Sequence, residues 1–297
     1  MTVPEPPSAR EDHERSVEVL LQALPYIQRF SGAVVVIKFG GNAMTSDELL
    51  AQFAADVVLM HSVGMRPVVV HGGGPQIGEW LERLGRTSEF RDGHRVTDAE
   101  TLEVARMVLI GKVQSDLVAA LNVHGPVAVG LSGQDAGLIR AGARSPELGF
   151  VGDVESVDPT ILERLLAMRL IPVVSTIGSD PAGQAYNINA DAVAGSVAAA
   201  LKAAKLIFLT DVPGLLADVD DPSSLIHRLT ALQADQLIAD GVVTGGMIPK
   251  LSGCVRAIES GVAQVHLVDG RVPHALLLEL FTDAGVGTMV TAEEEES

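Results

Sequence analysis

Apolar runs of strand length alternate with segments of helical period along most of this chain. The runs 33–37 (AVVVI), 67–71 (PVVVH), 126–131 (PVAVGL), 171–175 (IPVVS), 205–210 (KLIFLT) and 264–268 (QVHLV) predict strands. Helical periodicity predicts helices over 46–63, 75–84, 98–123, 158–168, 190–203, 230–240, 247–260 and 273–281. The Val/Ile/Leu runs are continuous rather than alternating, which predicts strands buried on both faces of a largely parallel sheet. The expected class is α/β, with helices on both sides.

Residues 15–30 stand apart, because they precede the first strand. Val17, Leu20, Leu21, Leu24 and Ile27 fall at helical spacing and make one apolar stripe, with Pro25 inside it, where a kink or break is expected. The segment reads either as an ordinary covering helix or as an oligomerisation arm. No internal repeat is evident, and the expected boundary between lobes lies near residue 204, after the alanine-rich VAGSVAAALKAA.

Composition narrows the classes. The chain has 297 residues, 47% hydrophobic and 20% charged, long enough for one large α/β domain or two lobes around a sizeable core. A formal net charge of −17 argues against nucleic acid or an anionic membrane as a partner, so a phosphate site would have to be local. The single cysteine, Cys254, allows neither an internal disulfide nor a multi-cysteine metal site and fits a reducing cytosol. The N-terminus MTVPEPPSAREDHERS lacks the apolar region of a signal peptide, no apolar stretch nears the ~20 residues of a membrane span, and AEEEES reads as a solvated acidic tail. A cytoplasmic protein is expected.

Candidate chemistry sits at the strand–helix junctions. AVVVIKFGGNAM (33–44) ends a strand in Lys38 and a glycine pair before a helix expected from Thr45; the lysine precedes the glycines, so this is not the P-loop order. Alone, Lys38 is a phosphate ligand or a strand-end charge. VVVHGGGPQIG (68–78) is stronger: three glycines before a Pro75 at a plausible first helical position let backbone N–H groups approach an anion. Two such turns side by side would lie at the C-terminal edge of the sheet, where ligands bind. In FRDGHRVTD (90–98), Thr97 or Asp98 can cap the next helix and Arg95 can pair with a carboxylate or remain a surface arginine. In YNINAD (186–191), Asn187 and Asn189 are expected to point the same way, and Asp191 falls at a helix start, where a carboxylate is favourable. In TGGMIPKLSG (244–253), Lys250 falls early in a helix, where the dipole disfavours a cation and a partner anion is expected. Neither a H-E-x-x-H zinc motif nor a G-x-S-x-G elbow is present. Two lysines and two sets of glycine amides suit phosphoryl transfer, which needs positioning and positive charge more than covalent help.

Taken together, IKFGGNAM, VVVHGGGPQI, GHRVTD, GLSGQDAGLI, YNINADAVAGSVAAAL, LTDVPGLL, GGMIPKL and HLVDGRVPHALLLELFTDAGVGTMV closely resemble, in the same order, the motifs of the amino acid kinase family. The likeness covers the chain from about residue 15 and is nearest to the branch that phosphorylates N-acetyl-L-glutamate. It implies a three-layer α/β/α sandwich with a mainly parallel, eight-stranded open sheet and an N-terminal kinked helix. It implies an oligomerisation helix within 1–30, an acceptor-binding lobe over 31–203 and an ATP-binding lobe over 204–297. It also implies transfer from MgATP to the γ-carboxylate of N-acetyl-L-glutamate, with Mg²⁺ riding on the nucleotide phosphates and few protein carboxylates on it.

By the same resemblance, Lys38 and Lys250 embrace the transferring phosphoryl group, Gly40, Gly41, Gly73 and Gly74 offer it backbone amides, and Asp191 organises the two lysines. Arg95 and Asn187 match groups that bind the acetylated amino acid, Arg95 at its α-carboxylate. Arginine-inhibited members have a kinked N-terminal helix that links dimers into a hexamer, a trimer of dimers; residues 15–30 fit it, and His266, Glu279 and Tyr26 are implied contacts for L-arginine. Two departures stand out: Gln134 replaces a lysine usual in SGKDG, and His94 replaces a leucine before the arginine. The alternatives are a family enzyme for glutamate, aspartate, carbamate or a nucleoside monophosphate, and a non-catalytic nucleotide-binding protein of the same fold.

Overall fold

The structure is a computed structural model that describes residues 9–44, 46–282 and 285–293. Eight strands form the central sheet: β1 Val34–Phe39, β2 Arg66–His71, β3 Ala128–Ser132, β4 Ile171–Ser175, β5 Lys205–Thr210, β6 Arg228–Thr230, β7 Gln264–Asp269 and β8 Thr288–Thr291. Their spatial order is β6-β8-β7-β5-β1-β2-β4-β3, and every neighbouring pair is parallel except antiparallel β7 and β8. In β1, Val36 stands opposite Val68 on one side and Leu206 on the other.

The continuous apolar runs are explained by the two layers they feed. On one face Ile37, Phe39, Val69 and Val173 pack under helices Asp47–Ser62 and Gln114–Asn122. On the other, Val36, Val68, Val70, Val174 and Leu206 pack under helices Thr160–Ala167, Ala190–Ala200 and Met247–Glu259. Each fully buried Val, Ile or Leu contributes about 1.5–3 kcal/mol of transfer free energy. The result is the expected α/β/α sandwich.

Two local features depart from the sequence reading, and of the kink or break expected at Pro25 the break does not occur. The helix expected over 98–123 is π-helical over Met107–Val113, between α-helical Ala99–Arg106 and Gln114–Asn122. The helix expected from Thr45 begins at Asp47, with the Ser46 hydroxyl accepting from the Leu49 N–H at 3.3 Å; Thr45 itself lies outside the described residues. The N-terminal helix runs unbroken from Ala9 to Phe30 through Pro25. The carbonyl that Pro25 leaves without its usual donor belongs to Leu21, which is exposed, so water can satisfy it. The apolar stripe of that helix faces solvent in the isolated chain, with Val17, Leu20, Leu21 and Leu24 all exposed.

The sequence reading also missed a small closed barrel of Ile139–Ala143, Val151–Val157, Ile177–Ser179 and Ala185–Ile188, and a hairpin of Phe90–Arg91 and His94–Arg95. Both stand beside the C-terminal ends of β1, β2 and β4 and supply walls to the site there.

Candidate active site

Parallel strands deliver their C-terminal ends to one edge of the sheet, and the chemistry collects there. β1 brings Lys38, whose ammonium lies 3.0 Å from the Asp191 carboxylate on helix Ala190–Ala200. Asn189 caps that helix by accepting from the N–H groups of Asp191, at 2.8 Å, and Ala192. With the cap filled by Asn189, the Asp191 carboxylate is left for Lys38.

The two glycine turns meet over this pair. A Cβ on Gly40 would lie 3.2 Å from Lys38 Cε, 3.3 Å from its Nζ and 3.7 Å from the Gly72 nitrogen. The end of the lysine side chain therefore lies close over Gly40, where a Cβ would press it aside by a few tenths of an ångström, and the second turn follows immediately behind it. Gly73 is wedged as tightly, since a Cβ there would meet Leu109 Cδ2 at 2.7 Å. The π-helical segment puts Leu109 and Val113 against that glycine. Gly74 opens helix Gly74–Arg83, with Pro75 following it.

These elements enclose a cavity of about 910 Å³, lined by Lys38, Gly40, Gly41, Gly72, Gly73, Gly74, Arg95 and Asn187, with Leu109, Thr176 and Phe90 among the walls. Arg95 donates to the Gly74 carbonyl at 2.8 Å and to the Ser88 hydroxyl, and its guanidinium lies 4.7 Å from the Phe90 ring centroid. Burial lowers its pKa from the ordinary arginine value. Asn187, on barrel strand Ala185–Ile188, reaches Thr97 Oγ1 through its Nδ2 at 3.4 Å. Thr97 in turn donates to the Arg95 carbonyl at 2.8 Å, while Asp98 caps the following helix through the Thr101 N–H. A cavity with a cation and backbone amides at one end and Arg95 and Asn187 in its walls suits a small ligand carrying carboxylate groups.

Lys250 does not line this cavity. It pairs at 3.0 Å with Asp211, the first residue after β5, and not with the Asp191 expected to organise both lysines. Hydrogen bonding to Lys250 and the lysine's charge hold the Asp211 carboxyl below the usual range. Helix Met247–Glu259 nevertheless packs on the helix of Asp191: one turn beyond Lys250, burial and then the Asp191 charge push the Cys254 thiol up. Asp211 was missed as a site residue, although the carboxylate directly after a buried strand in LTDVPGLL gave a signal for it. Among the described residues no group of three or more His, Cys, Asp or Glu is placed to hold a metal ion.

A second cavity, of about 460 Å³, lies beyond the N-terminal ends of β5 and β7 and includes Tyr26, Arg29, Lys205, Arg228, His266 and Glu279 in its lining. The structure thus brings Tyr26, His266 and Glu279 together. Lys205 Nζ donates to His266 Nε2 at 3.0 Å, so the ring proton sits on Nδ1 and is donated to Glu279 Oε1 at 2.6 Å. The other carboxylate oxygen of Glu279 accepts from the N–H groups of Val286 and Gly287. Burial would raise the Glu279 carboxyl, but His266 and the two amides outweigh it and hold it low. The Tyr26 ring stands edge-on to Phe281, 6.4 Å between centroids. Lys205 and Arg228 went unnoticed in the sequence, where a strand-opening lysine carries no local signal.

The two sequence departures fall outside these contacts. Gln134 lies in the turn after β3, its N–H bonded to Ser132 Oγ. His94 is half-buried in the hairpin beside Arg95, and burial and the charge of Arg144 lower its pKa against Asp153 and Asp92.

A sequence model of the amino acid kinase family matches residues 33–269. The chain is 56% identical over 280 residues to an acetylglutamate kinase of Synechococcus sp. (strain CC9311), covering 94% of this chain and 98% of that one. It is 57% identical over 281 residues to an acetylglutamate kinase of Symbiobacterium thermophilum, covering 92% and 96%. Among solved structures it is similar to N-acetylglutamate synthase from Neisseria gonorrhoeae complexed with coenzyme A and N-acetyl-glutamate, with a TM-score of 0.82 at 28% identity. The match covers 94% of this chain, which spans 64% of the synthase's length. The same synthase complexed with coenzyme A and L-arginine matches with a TM-score of 0.79 over 93% of this chain and 65% of that one. A carbamate kinase from Giardia, at 16% identity, a TM-score of 0.68 and coverage of 89% of this chain and all of its own, shares the fold.

Proposed function

The chain belongs to the amino acid kinase family, and from that premise we infer that it is an acetylglutamate kinase, transferring the γ-phosphoryl group of ATP to the γ-carboxylate of N-acetyl-L-glutamate in arginine biosynthesis. The observation that carries this reading is Lys38, held 3.0 Å from Asp191 where two glycine turns converge on a cavity that also presents Arg95 and Asn187. In the reaction a carboxylate oxygen attacks the γ-phosphorus, the β–γ bridging P–O bond breaks, and ADP leaves as the acyl phosphate forms. Arg95 takes the α-carboxylate and Asn187 a polar group of the acetylated amino acid. Lys38 and the amides of Gly40, Gly41, Gly73 and Gly74 meet the charge on the moving phosphoryl group.

The nucleotide belongs to the lobe of residues 204–297, on the side of Lys250, and the acceptor to residues 31–203. Lys250 exchanges Asp211 for a phosphate when the nucleotide binds. The nucleotide enters as MgATP, with the ion carried by the phosphates. The second cavity suits L-arginine as a feedback inhibitor, with Glu279 facing a guanidinium and His266 and Tyr26 beside it. The arginine complex of the similar synthase supports that reading. The exposed stripe of helix Ala9–Phe30 supports its role in a homohexamer, a trimer of dimers. Among the described residues no helix is long and apolar enough to cross a membrane, and we place the enzyme in the cytoplasm.

An ATP-dependent hydroxamate assay tests the activity across N-acetyl-L-glutamate, L-glutamate and L-aspartate, with and without arginine. Hydroxamate from N-acetyl-L-glutamate alone, reduced by arginine, is the expected result. Formation from unacetylated glutamate at an equal rate would remove the acceptor assignment.

A further inference from the structure

His71 ends β2, directly before the glycine triplet, and is fully buried. Its Nδ1 lies 3.0 Å from the Gly72 carbonyl oxygen. A carbonyl can only accept, so the proton is on Nδ1. Burial depresses the ring's pKa to about 4, so it is neutral at working pH and Nε2 carries a bare lone pair. That Nε2 is buried with no partner among the described residues. An orphaned buried acceptor is costly, and an apolar residue would fill this strand position without it. What the imidazole supplies is the bond from Nδ1.

Both sides of Gly72 are thereby fixed: its N–H donates to the Phe39 carbonyl at 3.1 Å, and its C=O accepts from His71. The peptide between Gly72 and Gly73 is planar and trans, so its N–H points opposite to its C=O. With the carbonyl drawn toward a buried ring, the Gly73 N–H turns the other way, toward the cavity that Gly73 lines. Leu109, 2.7 Å from where a Gly73 Cβ would be, leaves the turn little room to relax.

We propose that His71 is a positioning residue for phosphoryl transfer, its Nδ1–H bond holding the Gly72–Gly73 peptide so that the Gly73 amide faces the transferring group. The proposal rests on the kinase reading above and adds to it a residue that never touches substrate. Asparagine places a donor near the Nδ1 position and glutamine places one near Nε2, which separates the two nitrogens.

Steady-state kinetics of His71→Asn and His71→Gln, with melting curves for both, test it. His71→Asn should keep kcat within about threefold of wild type, while His71→Gln should lose about tenfold or more, with KM for both substrates little changed. A kcat within about threefold between the two variants overturns the proposal. Should either variant fail to fold, ¹⁵N imidazole spectra of the wild-type protein decide: an Nδ1–H tautomer for His71 at neutral pH is expected, and an Nε2–H tautomer overturns it. An inactive wild-type protein would sink the kinase reading, and the tautomer would still report on the hydrogen bond. An active wild type with indistinguishable variants would sink the positioning role alone.

Discussion

Replacing Asp191 by asparagine keeps the side-chain volume and removes the charge that lies 3.0 Å from the Lys38 ammonium. At that distance the gross Coulomb attraction is about 5.5 kcal/mol for an effective dielectric of about 20. Only part of it survives, because the lysine is 16% and the aspartate 36% exposed, and solvent screens such a pair. Asparagine also keeps a neutral oxygen for the ammonium. A net loss of about 2 kcal/mol in the hold on Lys38 is reasonable, and if that hold is felt in the transition state it lowers kcat roughly thirtyfold. Because Arg95 and Asn187 in the cavity walls are untouched, KM for N-acetyl-L-glutamate should change less than about threefold. Coupled ADP-release assays on Asp191→Asn measure both parameters, and a melting curve checks that the fold is intact. A kcat within about threefold of wild type would refute the assignment of Lys38 as a charge that has to be held in place.

Other expectations follow from the same geometry. Lys250→Ala should cost about 2–4 kcal/mol in kcat/KM; near-normal turnover would mean that Lys250 stays with Asp211 throughout. Gly73→Ala should lower stability by about 1–3 kcal/mol, because its Cβ meets Leu109, whereas Gly74→Ala, with nothing within 4 Å, should change it by less than about 1 kcal/mol; equal denaturation midpoints would contradict this packing. His71 titrates near 6.5 when unfolded and about 4 when folded, so between those values the unfolded state binds more protons. Its linkage cost is absent above the unfolded pKa, and stability falls as pH drops from 6.5 toward 4, by up to about 1.4 kcal/mol per pH unit. Urea unfolding of wild type and His71→Asn across that window should show the variant with the shallower pH dependence. Deleting residues 1–28 should convert a hexamer to a dimer in sedimentation velocity, and an unchanged hexamer would discard the arm.

The sandwich was legible because five of the six strands expected from apolar runs are buried over most of their length, so their hydrophobicity needs no periodic reading, while the edge strand Ala128–Ser132 is only partly buried. What was missed has the opposite character. Strands Ile139–Ala143 and Val151–Val157 keep no regular alternation along their length, carry glycines and include a register shift at Arg140/Ala141, which hides the strand signal. Strands β6 and β8 span only three and four residues. Pro25 does not end its helix, because its cost depends on whether the freed carbonyl is solvated, a property of tertiary context. In the site, residues within one motif were readable: Lys38 with its glycines, Arg95, Asn187. Pairings across the chain were readable only in part. Asp191 reaches Lys38 but Lys250 has Asp211, and which carboxylate meets which ammonium depends on how the strand ends and helix starts are placed in space. His71 stands in the VVVHGGG motif, but its bond to the Gly72 carbonyl is a feature of the folded turn that the sequence does not show.

The central claim is geometric: one acceptor carboxylate and one phosphoryl group meet between Lys38, Lys250 and the glycine amides. A crystal structure with MgADP, aluminium fluoride and N-acetyl-L-glutamate measures this directly. The account predicts the fluoride group within hydrogen-bond reach, about 3 Å, of the Lys38 and Lys250 ammonium groups and the Gly73 N–H, with Arg95 on the α-carboxylate. An acceptor bound away from Arg95, or Lys250 still paired with Asp211 while the fluoride group is in place, would contradict it.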